Sequence, residues 1–376
     1  MIMNNKPIRV LQYIGSLNIG GSQSMIMEMY RKIDKSKIQF DFIIDRNNET
    51  FYEEEILNMG GKVYKLDYYF KGWNYYQFKK EWKKFFNEHK EYKIIHCHVR
   101  SVAAIVLKIA KKFEITTICH SHSTSNGHGI KSYIKRKLQK KIIKYADYLF
   151  ACSEDSAKWL YGEHSLESKK FMIINNAIDT NKYIYDELVR NKKRTEFRIN
   201  NKIVLGQVGR IEEVKNYFFT IELLKELINI NNNYYLIIVG TGSLKKQLLN
   251  QINKYNLNDN VLLLENRNDV NELMQAMDIF IMPSLWEGLP LSLIEAQAAD
   301  LPCVISNNIS AGLLDKRLIR KLSLDDLNSW IACIEEEKNH DRTNNKKIIL
   351  DSGFDIDSNV KKLTFFYEEV MEKNET

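Results

Sequence analysis

Short apolar runs and helix-spaced segments alternate along almost the whole chain. Ile8–Gly15, Gln39–Ile44, Lys62–Leu66, Lys93–His98, Ile115–His120, Asp147–Cys152 and Phe171–Ile174 read as strands. Helical patterns lie between them. Ser22–Ile33 is apolar at Met25, Met29 and Ile33, with Ser22 placed as N-cap, and Val102–Lys112 and Lys131–Tyr145 follow. The pattern restarts after residue 200 with strands at Ile203–Gly209, Tyr234–Val239, Val261–Leu264, Asp278–Pro283 and Cys303–Ser306, and a helix at Tyr217–Ile230. Apolar strands alternating with helices imply parallel sheets covered on both faces. Two series of this length are too much for one sheet, and no repeat of solenoid length is visible. The expected fold class is therefore α/β, with two Rossmann-like doubly wound domains facing across a cleft. The boundary is expected between Asn175 and Asn200, where Lys192–Arg198 is charged and poor in core residues. Residues 1–180 would form one domain and 181–355 the other, with a final helix, 356–376, packing back onto the first. Strand ends in such a plan place the site in the cleft.

Composition narrows the class without naming a function. Of 376 residues 44% are hydrophobic and 27% charged, which excludes a mainly disordered chain. The apolar runs fall short of the roughly 18 residues of a spanning helix. After Met1 the chain passes through Asn4, Asn5 and Lys6 into the first strand without an apolar signal region, so a cytoplasmic protein is expected. Cys97, Cys119, Cys152, Cys303 and Cys333 form no C-x-x-C and read as small buried hydrophobes in a reducing compartment. Charge is uneven: residues 1–180 hold 30 Lys and Arg against 19 Asp and Glu, and residues 181–376 hold 25 against 29. A basic first half fits an anionic partner, or only solvated lysine.

Several loops at strand ends carry candidate chemistry. Gly20-Gly21 opens a helix after the first strand, where backbone N–H groups could approach an anion; a plain βα turn reads equally well. Arg210 and Lys215 lie in the matching loop of the second half, either aimed at a phosphate pair or solvated. The most informative stretch is Glu287-Gly288-Leu289-Pro290-Leu291-Ser292-Leu293-Ile294-Glu295. Pro290 suits the first position of a helix, whose free N–H groups suit a diphosphate, and a carboxylate at Glu295 can accept from vicinal hydroxyls. His96-Cys-His98 and His120-Ser-His122 end two strands, with period two putting each pair on one side. No Cys or carboxylate stands at ligand spacing beside them, so no metal is expected. His120, before the polar Ser121–Gly127, is the better substrate contact; Asn175–Asp179 ends the last strand of the first half, and Asn176 and Arg267 are further candidates. Gly240-Thr-Gly242 reads as a turn and Asp355-Ile-Asp357 as capping of the final helix. P-loop, zincin and serine-hydrolase motifs are absent.

Together these loops resemble the retaining, nucleotide-sugar-dependent glycosyltransferases of family GT4, which have the GT-B fold. The resemblance covers nearly the whole chain. Glu287 and Glu295 match the family's E-x7-E motif, Arg210 and Lys215 its phosphate-binding pair, Gly20-Gly21 its N-terminal loop, and His120, or His122 in its place, the active-site histidine. Asn175–Asp179 is similar to the usual N-G-V-D segment, with Ala177 in place of Gly. The spelling from Glu287 to Pro302 resembles bacterial capsule, exopolysaccharide and lipopolysaccharide enzymes. The resemblance implies a UDP-sugar donor in the second domain. Glu295 would take the ribose, Arg210, Lys215 and the helix-start amides the diphosphate, with Gly288, Leu289 and Pro290 also lining the donor site, and Glu287 and His120 the transferred sugar. No cofactor or metal is implied, because fixed cations and amides stabilise the departing diphosphate. The acceptor would be a glycan or polyprenyl-diphosphate-linked glycan. The basic Lys131–Lys144 and the aromatic–lysine stretch Trp73–Phe86 suit an anionic membrane surface on the inner face, or ordinary packing. No nucleic-acid module is recognisable. A nucleotide-sugar 2-epimerase on the same plan and a non-enzymatic polyanion binder are the alternatives.

Overall fold

The computed structural model describes residues 6–18, 21–45, 50–67, 70, 74–122, 136–287, 289–309, 312, 314–343 and 346–375. The chain divides into two compact units, Met1–Ala177 with Ile356–Thr376, and Ile178–Asp355.

The first unit is built on seven parallel strands: β1 (Ile8–Tyr13), β2 (Ile38–Ile44), β3 (Val63–Lys65), β4 (Ile94–Cys97), β5 (Thr116–Ser121), β6 (Tyr148–Ala151) and β7 (Phe171–Ile173). Their order is β3-β2-β1-β4-β5-β6-β7. Both faces are covered, so the strands carry near-continuous apolar runs; β2 is buried at every position. Alternation sorts each strand between two layers. On β1, Leu11 and Tyr13 join the layer of Trp82 and Leu107, whereas Val10 joins that of Tyr30, Phe40 and Tyr367. Tyr367 belongs to the helix Ile356–Glu375, which returns to this unit and buries Val360, Leu363, Tyr367 and Val370 at helical spacing.

The second unit holds six parallel strands, β8 (Ile203–Val208), β9 (Tyr234–Val239), β10 (Val261–Leu264), β11 (Ile279–Met282), β12 (Cys303–Ser306) and β13 (Ile319–Leu322). Their order is β10-β9-β8-β11-β12-β13. In each sheet the chain winds outward from its first strand and then returns to that strand's other side. The reversal leaves a crevice beyond the carboxyl ends of β1 and β4 in one unit, and of β8 and β11 in the other.

Several elements differ from expectation. Strand β13 escaped the hydrophobic pattern because it is an edge strand carrying Arg320 and Lys321, charges that protect an open edge. Residues 192–196 are no linker; they end the helix Glu187–Glu196, and Phe197 caps it. Lys193 and Arg194 are buried there because ion pairs compensate them: Lys193 Nζ lies 2.8 Å from Asp269, and Arg194 3.1 Å from Asp278. Ser22 is not an N-cap, since the helix Gly21–Lys32 already includes it. Pro290 stands at the N-cap, one place before the helix Leu291–Ala298. Of Lys131–Lys144, residues 131–135 lie outside the described residues, and the helix resumes only at Ile142–Tyr145 after a turn at Lys140 and Lys141. In the helix Tyr75–Glu88, Phe78, Trp82, Phe85 and Phe86 are core residues, leaving Tyr75 and Tyr76 exposed; Trp73 is outside the described residues.

Candidate functional site

In the second unit the crevice between β8 and β11 gathers the loop chemistry. The loop after β8 turns at Gly209, whose φ of +148° strains any other residue; a Cβ there would meet Lys215 Cε at 2.9 Å, so the lysine side chain would have to shift. Tyr217 donates to the Gly209 carbonyl at 2.7 Å, and Gln207 donates to the Lys215 carbonyl at 2.8 Å, fixing the loop from both ends. Burial and the Glu287 charge raise the Tyr217 pKa, so its hydroxyl stays a donor. Lys215 Nζ contacts Glu287 Oε1 at 2.6 Å, and Ser284 Oγ donates to the same oxygen at 2.8 Å. Leu285 N to Val214 O, 2.8 Å, ties the loop after β11 to the loop after β8. The helix Leu291–Ala298 then begins with its first amides outside the helical ladder. Arg210 is exposed on the β8 loop, and Glu295 is half-buried on the helix. Arg267 is committed to Asp269, its Nε 2.7 Å from Oδ1. Leu289 is half-buried, Pro290 is buried, and Gly288 lies outside the described residues.

In the first unit the crevice beyond β1 and β4 is lined by histidines. Gln12 pairs with His96 across β1 and β4, and β5 lies next to β4. Alternation places His96, His98, His120 and His122 on one face. Their rings stack, the His120 and His122 centroids lying 4.1 Å apart and those of His96 and His98 4.4 Å. Burial and mutual repulsion hold the pKa of His96, His98 and His120 well below the ordinary value; burial and Arg100 push His122 down to about 3. All four are therefore neutral near pH 7. Three buried polar atoms at this end have no hydrogen-bond partner: His120 Nε2, His122 Nδ1 and Asn176 Oδ1. Unsatisfied buried groups clustered in a crevice are what a polar ligand would complete. Among the described residues His96, His98 and His120 are the group able to hold a metal, with ligand atoms within 4.8 Å of one another. Both ring nitrogens of His96 and of His98 are already hydrogen-bonded, so a metal would have to break that network. Gly21 begins its helix with open space around its Cα, and Gly20 lies outside the described residues. Asp355 accepts from Thr180 at 2.8 Å, a structural bond.

Residues 19–182 match the family described as Glycosyltransferase Family 4, and residues 189–313 the one described as Glycosyl transferases group 1. EpsF of Bacillus subtilis (strain 168), assigned as a glycosyltransferase, is 31% identical over 99% of both chains. The chain belongs to glycosyltransferase family 4. An Escherichia coli relative of this glycosyltransferase, named UDP-Gal:alpha-D-GlcNAc-diphosphoundecaprenol alpha-1,3-galactosyltransferase, is 28% identical over 74% of this chain and 76% of its own. The fold of the present chain is shared with Anabaena HepE in complex with UDP, at TM-score 0.76 and 16% identity over 96% of this chain and 100% of that one. It is also shared with WaaG, a glycosyltransferase involved in lipopolysaccharide biosynthesis, at TM-score 0.65 and 15% identity over 97% and 98%. This is the GT-B plan.

Three parts of the candidate site were not assigned a role from the sequence. Gln12, a buried amide inside an apolar strand, is a polar residue whose place alone was a signal. Tyr367 comes from the far end of the chain and carries no local mark. Gly240 and Gly242 let the β9 loop pack on the β8 loop, since a Cβ would meet the Gly209 and Ile211 carbonyls at 1.9 and 2.2 Å.

Proposed function

We propose that this glycosyltransferase takes a UDP-sugar as donor and transfers the sugar with retention of anomeric configuration, without a metal ion. The observation that carries the reading is the Lys215–Glu287 contact at 2.6 Å in the crevice between β8 and β11, beside an exposed Arg210 and a helix start. The two cations and the helix-start amides suit a diphosphate. Their positive charge would replace a metal as the leaving group gains charge. Glu287, already held by Lys215 and Ser284, is oriented for sugar hydroxyls, and Glu295 for the ribose. The UDP of the HepE structure supports this choice of nucleotide. Titration calorimetry with UDP tests it: Glu295→Ala weakens affinity by about 1–3 kcal/mol, the worth of charge-assisted hydrogen bonds. Unchanged affinity in a folded variant rejects the assignment.

The acceptor proposed is a lipid-linked glycan in bacterial surface polysaccharide synthesis, with the first unit resting on an anionic membrane. The E. coli relative's diphosphoundecaprenol acceptor supports the class. In the first unit Lys79, Lys83, Lys108, Lys112 and Lys141 line a cavity of about 250 Å³ together with apolar side chains such as Ile105. Lysines over an apolar wall suit phosphate head groups above acyl chains. Arg136 does not join them; it stacks on Trp159 at 4.6 Å. No described helix is long and apolar enough to cross a membrane.

A further inference from the structure

The four histidines form two hydrogen-bonded chains that meet at a single amide. In one, Gln12 Nε2 donates to Tyr367 Oη at 3.4 Å, Tyr367 Oη lies 2.6 Å from His96 Nδ1, and His96 Nε2 lies 3.2 Å from His120 Nδ1. In the other, Gln12 Oε1 lies 2.8 Å from His98 Nε2, and His98 Nδ1 lies 2.8 Å from His122 Nε2. A neutral imidazole carries one proton, so fixing one end of a chain fixes every ring in it.

The direction follows from Gln12. Its amide nitrogen donates to Tyr367, so the phenol's single proton must go to His96 Nδ1. His96 then holds its proton on Nε2 and donates it to His120 Nδ1, which leaves the His120 proton on Nε2. The Ile174 carbonyl beside this ring also favours a proton there. On the other side the Gln12 oxygen accepts from His98 Nε2–H. His98 Nδ1 is then bare and accepts from His122 Nε2–H, which leaves His122 Nδ1 as a lone pair, toward which the neighbouring Asn176 amide must turn its nitrogen rather than its oxygen.

We infer that Gln12 and Tyr367 are positioning residues that set the tautomers of the histidine cluster, so that His120 presents a proton donor and His122 an acceptor at the end of β5. The two chains end at the buried atoms His120 Nε2, beside the Ile174 carbonyl, and His122 Nδ1, beside the Asn176 side chain, and neither atom has a well-formed hydrogen bond. One end offers a hydrogen bond to a sugar or acceptor oxygen, and the other takes one from a hydroxyl. The helix Ile356–Glu375, which returns to the first unit, delivers the Tyr367 hydroxyl to this strand-end site. The significance for transfer rests on the proposed contact between His120 and the transferred sugar; the tautomers themselves do not.

The test is a long-range ¹H–¹⁵N spectrum of the full chain labelled at histidine, near neutral pH, with Tyr367→Phe and Gln12→Glu. Phe keeps the ring packing against Phe40 and Phe366. Wild type should show all four rings as Nε2–H tautomers. Tyr367→Phe should lose the fixed state of His96 and His120 and leave His98 and His122 unchanged. Gln12→Glu offers acceptors on both sides, so the Tyr367 proton turns to Glu; His96 and His120 become Nδ1–H, while His98 and His122 stay. Nδ1–H rings in wild type, or His96 and His120 signals indifferent to both variants, overturn the inference. In the transfer assay Tyr367→Phe should lower kcat about tenfold or more, with the donor KM within about twofold. Altered tautomers with an unchanged kcat would leave the relay standing and overturn the contact between His120 and the sugar.

Discussion

Lowering the pH from about 7 to about 5.5 should destabilise the first unit through its buried histidines. His96 and His120 are 2% and 1% exposed, and burial holds their pKa well below the ordinary value. The unfolded chain takes up a proton on each below pH ~6.5, while the folded rings stay neutral. Stability is therefore full above that pH and is lost as pH falls toward the folded values. Over this window the unfolded side alone sets the size: about 0.2 kcal/mol per ring at pH 7 and about 1.4 at pH 5.5, so about 2.5 kcal/mol lost for the pair. His98 and His122 act in the same direction. Carboxylates contribute little, because their unfolded pKa values near 4 lie below the window. Urea unfolding at the two pH values, read by hydrogen exchange of peptides covering β4 and β5, isolates the first unit. A stability unchanged within about 0.5 kcal/mol would show that the rings are not held neutral, and would refute both the burial argument and the network built on it.

Three further outcomes are expected. Gly209→Ala should lower kcat/KM by about tenfold or more, because a Cβ 2.9 Å from Lys215 Cε and a φ of +148° displace the side chain that holds Glu287; kinetics at saturating and limiting donor will show it. Transfer should continue in excess EDTA, and complete loss restored by Mn²⁺ or Mg²⁺ would reject the metal-free reading. Replacing Lys79, Lys83, Lys108, Lys112 and Lys141 by Gln should abolish salt-sensitive co-sedimentation with anionic vesicles and spare UDP affinity, since each lysine near an anionic leaflet is worth about 1 kcal/mol. Wild type that ignores such vesicles would return these lysines to an ordinary solvated surface.

What could be read from the sequence divides along physical lines. Strands buried on both faces announce themselves, and β9, β10 and β12 have the bounds that the apolar runs imply. β13 does not, because an edge strand tolerates Arg320 and Lys321. Charge misled where it was paired: Lys193 and Arg194 look like a linker in one dimension and are buried against Asp269 and Asp278 in three. Of the two readings of the aromatic–lysine stretch, ordinary packing holds for Trp82 and Phe86, which serve the core. The loops that bring Lys215 to Glu287 were legible because turns and helix starts leave local marks. The hydrogen-bond chain from Gln12 through Tyr367 to His120 joins residues 355 positions apart and has no local mark at all.

Release of UDP from UDP-sugars, measured with and without lipid-linked glycan acceptor, separates sugar transfer from epimerisation. One donor should release UDP only when acceptor is present, and Lys215→Ala and Glu287→Ala should abolish the release while the chain stays folded. Conversion of the sugar to its 2-epimer without acceptor, or release undiminished in both variants, would contradict sugar transfer at this site.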